Sequence, residues 1–324
     1  MERRGLLREP VNVNEESADM NILVTGGLGV VGRPLVQELR KRGYNVWITD
    51  LFHHHDPQYM KCDVGEFRQL QEIFKITDFD YVYHLAAEFG RYNGEDFYER
   101  MWKSNVIGTK NMIRLQEQKR FRMIFSSSSE IYGDYRNVMT EDVPLIQPIR
   151  QLNDYAISKW VNEQQIMNSA SRFGTESVRL RLFNSYGPGE HYSPYRSAVC
   201  IFIYRALHNM PYTVYAKNRR SLTYINDMVD AMTNVVNNFK QGEVYNISGD
   251  HNVTMKKVSD TILGILGKDD SLVRYEEVEK HNALTKVADN AKAKRDLGYR
   301  TRASLEEGLR RTIEWQEKVY MKGD

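Results

Sequence analysis

The sequence predicts an α/β protein built on a doubly wound parallel sheet, and three observations carry that expectation. Short apolar runs rich in β-branched residues alternate with helical patterns through the first half of the chain, the signature of successive βαβ units. The segments between them are short, so each crossover must be a helix laid on one or the other face of a parallel sheet. A glycine cluster, Gly26-Gly27-Leu28-Gly29-Val30-Val31-Gly32, stands between the first run and the first helix, where a tight turn joins strand to helix.

In chain order, residues 1–19 read as a polar arm without strand or helical period. Residues 21–25 are the first strand, 34–39 lie in the first helix, 45–50 are the second strand, 67–74 a helix and 81–85 a further strand. A long helical pattern covers 97–119, a strand 123–126, a helix from Tyr155 to about Phe173, and a strand 177–182. Beyond Gly187-Pro188-Gly189 the alternation weakens. Helices are expected over 198–209, 227–239, from Thr254, over 290–297 and over 304–318, with extended pieces at 212–215, 223–225, 243–247 and 272–275. The expected division is an arm (1–19), a main sheet domain (20–182, with 223–247 returning to it) and a smaller domain (183–222 and 248–324).

The 324 residues, 41% hydrophobic and 27% charged, suffice for a sizeable core. Lys+Arg 45 against Asp+Glu 43 leave a net charge of +2, with no long block of either sign, which argues against a nucleic-acid partner. Cys62 and Cys200 are the only cysteines, too few for a disulfide framework and in keeping with a reducing compartment. No run approaches the ~20 apolar residues of a membrane span, and the polar start holds no apolar signal core. A cytoplasmic protein without a membrane partner is expected.

The glycine cluster satisfies Gly-x-Gly-x-x-Gly from Gly27 and Gly-x-x-Gly-x-x-Gly from Gly26. Such glycines let the backbone approach a pyrophosphate, whose charge meets the N-terminus of the following helix. Asp50 ends the second strand about twenty residues on, where a carboxylate accepts from the adenosine ribose hydroxyls and repels a 2′-phosphate. The pattern reads as NAD rather than NADP. Tyr155 and Lys159 lie about one turn apart on one helix face. A phenol titrates near ~10, and a neighbouring ammonium lowers that value, fitting Tyr155 to take a proton from a substrate hydroxyl. His53-His54-His55 points its rings to different sides of an extended loop, with no acidic or Cys partners at a ligand spacing, so no metal site is expected.

With Thr25 to Gly32, His84-Leu85-Ala86-Ala87, Asn105-Val106-Ile107-Gly108-Thr109, Ser126 to Gly133, Tyr155 to Lys159, and Arg181-Leu182-Phe183-Asn184-Ser185-Tyr186-Gly187-Pro188 in one chain, the sequence resembles a known group. These motifs are similar to those of the extended short-chain dehydrogenase/reductases, specifically the NAD-dependent nucleotide-sugar epimerase/dehydratase group, from Asn21 to the last helix. The resemblance implies a Rossmann-type NAD-binding domain and a smaller α/β C-terminal domain that binds a nucleoside diphosphate sugar. It also implies a homodimer packed through the helices near residues 100–118 and 154–170. The NAD contacts implied are Gly26, Gly29, Val30, Val31, Gly32, Asp50, Asp63, Val64, Leu85, Ala86, Ala87, Asn105, Ser126, Tyr155 and Lys159.

Roles follow from the same resemblance. Tyr155 takes the sugar O4 proton, Ser128 hydrogen-bonds O4, and Lys159 holds the nicotinamide ribose and keeps the tyrosine acidic, while hydride passes from C4 to NAD⁺ and leaves a 4-keto sugar. Asn184 and Arg220 grip the diphosphate. Arg220 stands in a variant of the group's Arg-x-Phe-x-Tyr-Val-x-Asp, with Leu222 replacing Phe. Tyr195 and Arg196 line the sugar nucleotide, and the aromatic-rich residues 89–92 are candidates to shape the pocket.

The fate of the ketone lies with Glu130. A 4-ketone acidifies the C5 proton; a carboxylate beside that carbon abstracts it and sets up loss of the C6 hydroxyl. A 4-keto acid instead loses CO₂ as a β-keto acid without such a base. Ser129, in the substrate set with Glu130, occupies a position where some dehydratases of the group carry Asp. The expectation is a 4,6-dehydratase, with a 4-epimerase as the alternative. After it come a UDP-glucuronate-type decarboxylase, a C4 dehydrogenase that releases its NADH, and a catalytically silent NAD or sugar-nucleotide binding module.

Overall fold

A computed structural model describes residues 20–279 and 282–321; the polar arm read at 1–19 lies outside them. The first strand, β1 (Asn21–Thr25), is buried from Ile22 onward, and its alternate side chains serve two cores. Ile22 and Val24 join a cluster that includes Leu35, Val36 and Leu39 of α1 (Gly32–Lys41), while Leu23 joins one built with Leu70, Met112, Ile113 and Ile166. A strand whose side chains are apolar on both faces must be covered on both. That requirement makes the sheet doubly wound.

Among the described residues seven strands form the main sheet, every pairing parallel. With β2 (Asn45–Asp50), β3 (Tyr59–Lys61), β4 (Tyr81–His84), β5 (Arg122–Ser128) and β6 (Ser177–Leu182), the spatial order runs β3-β2-β1-β4-β5-β6 and ends on the late strand Val244–Ile247. The order reverses between β1 and β4, and a crevice opens at the carboxyl ends of such strands. The helices α2 (Phe67–Ile73), α3 (Gly108–Lys119) and α4 (Asp154–Phe173) follow β3, β4 and β5.

The helical pattern read over 97–119 is not one regular helix. A short helix Tyr98–Met101 runs into a π-helical turn, Trp102–Ile107, before α3 begins; such turns recur at functional sites. The short edge strand β3 and several later strands had no period long enough to mark them. The later chain adds β7 (Ser185–Tyr186), α5 (Ala198–Leu207), β8 (Tyr212–Tyr215), β9 (Arg219–Tyr224), α6 (Ile225–Asn234), the late strand as β10, β11 (His251–Thr254), α7 (Met255–Leu266), β12 (Val273–Glu276), β13 (Thr285–Lys286), α8 (Ala291–Leu297) and α9 (Leu305–Tyr320). Strand β9 pairs with β11, β13 and β7, and β12 pairs with β8. No described helix is long and apolar enough to cross a membrane.

Polar groups fasten α4 to the sheet. Its N-terminus is capped by the Asn153 side chain, which accepts the Ala156 N–H at 2.8 Å, and it ends on Gly174 in the left-handed region, φ 65°. Glu163 is fully buried and accepts from Arg181 (Nε 3.0 Å, Nη2 2.9 Å) and from the Ser127 hydroxyl at 2.5 Å, with Arg179 at 3.4 Å. Burial alone raises the Glu163 carboxyl, but the two guanidiniums outweigh it and hold the group below its usual value. Glu163→Ala, which leaves those guanidiniums unmatched in the core, is expected to destabilise the fold by about 3–5 kcal/mol in urea titration at neutral pH. Because the folded carboxyl is depressed, its contribution is complete above the ordinary glutamate value of about 4.3 and is lost as pH falls through the folded value. The gap between variant and wild type should therefore close on acidification.

Candidate active site

The turn after β1 is shaped for close approach. Gly26 has φ +70°, and a Cβ there would lie 2.8 Å from the Ala86 nitrogen; one on Gly32 would lie 2.2 Å from the Gly26 carbonyl. Helix α1 begins with no side-chain cap and no acidic residue in its first turn; the Arg33 and Leu35 N–H groups bond back to the Gly29 and Val31 carbonyls, and the helix start at Val30, Val31 and Gly32 faces the cavity, where an anion meets the helix N-terminus. Asp50 closes the turn from the other side, accepting the Leu28 N–H at 3.0 Å and the Leu51 N–H at 2.7 Å. This cradle fits a dinucleotide.

It opens into a cavity of about 940 Å³. Gly26, Gly29, Val30, Val31, Gly32 and Asp50 line one end, with Asp63, Val64, Leu85, Ala86 and Ala87 beside them. Ser126, Ser128, Ser129, Glu130, Tyr155 and Lys159 line the cavity as well, as do Asn184, Arg196 and Arg220, together with Phe89, Tyr92 and Tyr195. Asn105 is the exception among the expected contacts. It is buried in the π-helical turn outside the cavity lining, accepts the Glu88 N–H at 2.8 Å, and donates to the Glu88 carbonyl at 3.0 Å and Ser158 Oγ at 3.1 Å. Its amide braces the loop after β4 against the Tyr155 helix. The three histidines at 53–55 are exposed, and among the described residues no group of His, Cys, Asp and Glu is placed to hold a metal ion.

Ser128 ends β5, and its Oγ accepts the Glu130 N–H at 3.2 Å. The Tyr155 phenol stands above its ordinary value because burial disfavours the phenolate; a hydrogen bond with Ser128 pulls the other way. The Lys159 ammonium donates to the Ser126 carbonyl at 2.8 Å and lies 5.9 Å from the Tyr155 ring centroid. Burial brings that ammonium down to about 8. His84, bonded to Thr25 at 2.9 Å and Thr109 at 3.1 Å, is buried and lowered to about 3, so it is a neutral strut beneath the site.

Glu130 faces the cavity with a partner that sequence reasoning missed. The buried Lys286 ammonium forms an ion pair with its carboxylate, and Asn153 Nδ2 donates at 3.3 Å. Burial pushes the Glu130 carboxyl up, but Lys286, its hydrogen bond and the Arg220 charge together bring it below the usual value. Lys286 reaches the site because β13 pairs with β9 in a register that sets it opposite Arg220. A lone lysine in a two-residue strand carries no sequence signal. Arg220 Nη1 donates to the Arg219 and Leu284 carbonyls at 2.8 and 3.0 Å, and Asn184, at φ +32°, donates to the Ser221 carbonyl at 3.1 Å. The Arg196 guanidinium lies over the Phe89 ring at 4.2 Å.

The sequence profile of the NAD dependent epimerase/dehydratase family matches residues 22–248. The chain is 28% identical over 318 residues to the UDP-N-acetyl-alpha-D-glucosaminuronate decarboxylase of Bacillus cytotoxicus, covering 92% of this chain and 98% of that protein. It is 30% identical over 306 residues to UDP-glucuronic acid decarboxylase 6 of Arabidopsis thaliana, covering 90% and 87%. The fold superposes on the crystal structure of UDP-glucose 4-epimerase from Thermotoga maritima with UDP-glucose at a TM-score of 0.84, 28% identity, and coverage of 93% and 99%. The cradle, the serine strand end and the Tyr155–Lys159 face thus belong to an enzyme of the NAD dependent epimerase/dehydratase family, with NAD as its cofactor and a nucleotide sugar as the molecule it modifies.

Proposed function

We propose that the chain decarboxylates a UDP-hexuronate by way of a 4-keto intermediate. The observation that carries this reading is the ion pair of Glu130 with Lys286 beside Arg220. Elimination of the C6 hydroxyl, the outcome first expected from Glu130, needs a base at C5, and a carboxylate held below its usual value is a weaker base. Lys286, held at the cavity by that pair, is instead a cation that an acid at C6 can engage. Two relatives named as decarboxylases of UDP-linked uronic acids support the same substrate class.

In this mechanism the glycine turn, α1 and Asp50 hold the dinucleotide. NAD, when bound, supplies the acceptor for the hydride leaving C4. Tyr155 takes the O4 proton, Ser128 donates to O4, and Lys159 carries positive charge beneath them. The resulting β-keto acid breaks its C5–C6 bond, CO₂ departs, and the electron pair moves onto the C4 carbonyl oxygen, where the Tyr155 and Ser128 hydroxyls stabilise it. A proton then adds at C5 and Tyr155 gives its proton back to O4; the hydride would return to C4 from the bound cofactor, so that the cycle carries no net oxidation. Arg220, Asn184 and Arg196 are the diphosphate and sugar contacts.

Mass spectrometry of products from UDP-glucuronate, UDP-N-acetylglucosaminuronate and UDP-glucose tests the reading. Loss of CO₂ from a uronate is expected. Loss of water from UDP-glucose would restore the dehydratase, and an unchanged mass with a new isomer would favour the epimerase. Lys286→Met removes one charge-assisted contact and should raise KM for the uronate about tenfold to a hundredfold while sparing NAD binding in calorimetry; an unaltered KM counts against a C6 carboxylate at that place. Tyr155→Phe should lower kcat by about 10²–10⁴ with NAD still bound, whereas an unchanged rate would remove the tyrosine from the chemistry.

A further inference from the structure

Residues 190–197 cross from the turn at Gly187-Pro188-Gly189 to the start of α5 and bring Tyr195 and Arg196 to the cavity. Their base is closed by the buried Glu190 carboxylate, which accepts from the Ser197 N–H at 3.0 Å and its hydroxyl at 2.6 Å; Ser197 Oγ in turn caps α5 by accepting the Cys200 N–H at 3.2 Å. On the cavity side the Tyr195 hydroxyl donates to Asp96 at 2.8 Å, and Arg196 stacks on Phe89. The outer side is held by the far end of the chain. The Tyr320 hydroxyl accepts the Tyr192 N–H at 2.8 Å and lies 3.4 Å from His191 Nδ1. The Tyr192 ring stacks on Tyr204 of α5 at 3.7 Å, Tyr204 meets Tyr320 edge-on at 5.0 Å, and His191 meets Trp315 edge-on at 5.1 Å.

We propose that Tyr320 is a positioning residue: its hydroxyl pins the Tyr192 backbone so that residues 190–197 hold Arg196 over the substrate cavity. The ring contacts are sequence-tolerant packing, but the hydroxyl is the group that fixes the backbone of this loop from α9. Neither Tyr320 nor Tyr192 is among the cavity-lining residues, so the effect passes through the loop. The inference rests on the reading of Arg196 as a substrate contact.

The test is Tyr320→Phe in the full chain with NAD bound, which keeps the ring and deletes the acceptor. Amide hydrogen exchange across residues 190–197 should quicken, and KM for UDP-glucuronate should rise about fivefold, the worth of one hydrogen bond, with kcat within twofold of wild type. In an Arg196→Ala background the same change should add nothing to KM. Unchanged exchange in the loop overturns the clamp, as does a fall in kcat at constant KM; a full additive rise in KM overturns the route through Arg196. If the wild type is inert toward UDP-glucuronate, the functional reading fails by itself, and the exchange result still decides the clamp.

Discussion

One face of α4 carries Tyr155, Lys159 and Glu163 at four-residue intervals, and each reaches the end of β5. Glu163 bonds Ser127, Lys159 bonds the Ser126 carbonyl, and Tyr155 meets Ser128. The three positions recur on one helix face about every four residues, and their partners, the Ser128 hydroxyl, the Ser126 carbonyl and the Ser127 hydroxyl, fix α4 against the end of β5. The buried Arg181 guanidinium extends this fastening. It binds Glu163, then the Tyr132 hydroxyl at 2.9 Å, which donates to Asn246 on β10 at 2.6 Å. The reacting groups are thus set by a polar seam through the core, where loss of one member leaves its partner buried and unpaired.

A second constraint governs the far side of the cavity. Lys286 and Arg220 are neighbours in parallel register and both are buried. Two cations so placed repel, and Glu130 offsets part of that cost, which ties the charge lining the cavity to the assembly of the β9 sheet. The carboxylate that the sequence marks for chemistry also offsets part of the positive charge at Lys286 and Arg220. Its depressed proton affinity and its position follow from the same partner.

Asn105 and Arg196 illustrate how local motifs and tertiary surroundings divide the work. Asn105 stands in a motif whose resemblance implied cofactor contact, yet its amide spends its hydrogen bonds on the Glu88 backbone and Ser158, supporting the wall of the site. Arg196 does line the cavity, and what aims it, the Glu190–Ser197 bond and the Tyr320 hydroxyl, comes from residues that no spacing connects.

The sequence by itself determined the doubly wound sheet, the glycine cradle with Asp50, and the Tyr155–Lys159 face, because each depends on periodicity, turn chemistry or spacing within a few residues. Only the tertiary structure decided the environment of those groups. Burial holds the Tyr155 phenol up and brings the Lys159 ammonium down, and the Lys286 partner of Glu130 is 156 residues away in sequence. Desolvation and long-range charge pairing are properties of the packed chain, so the proton affinities at the site, and with them the expected fate of the ketone, were not legible in the order of residues alone.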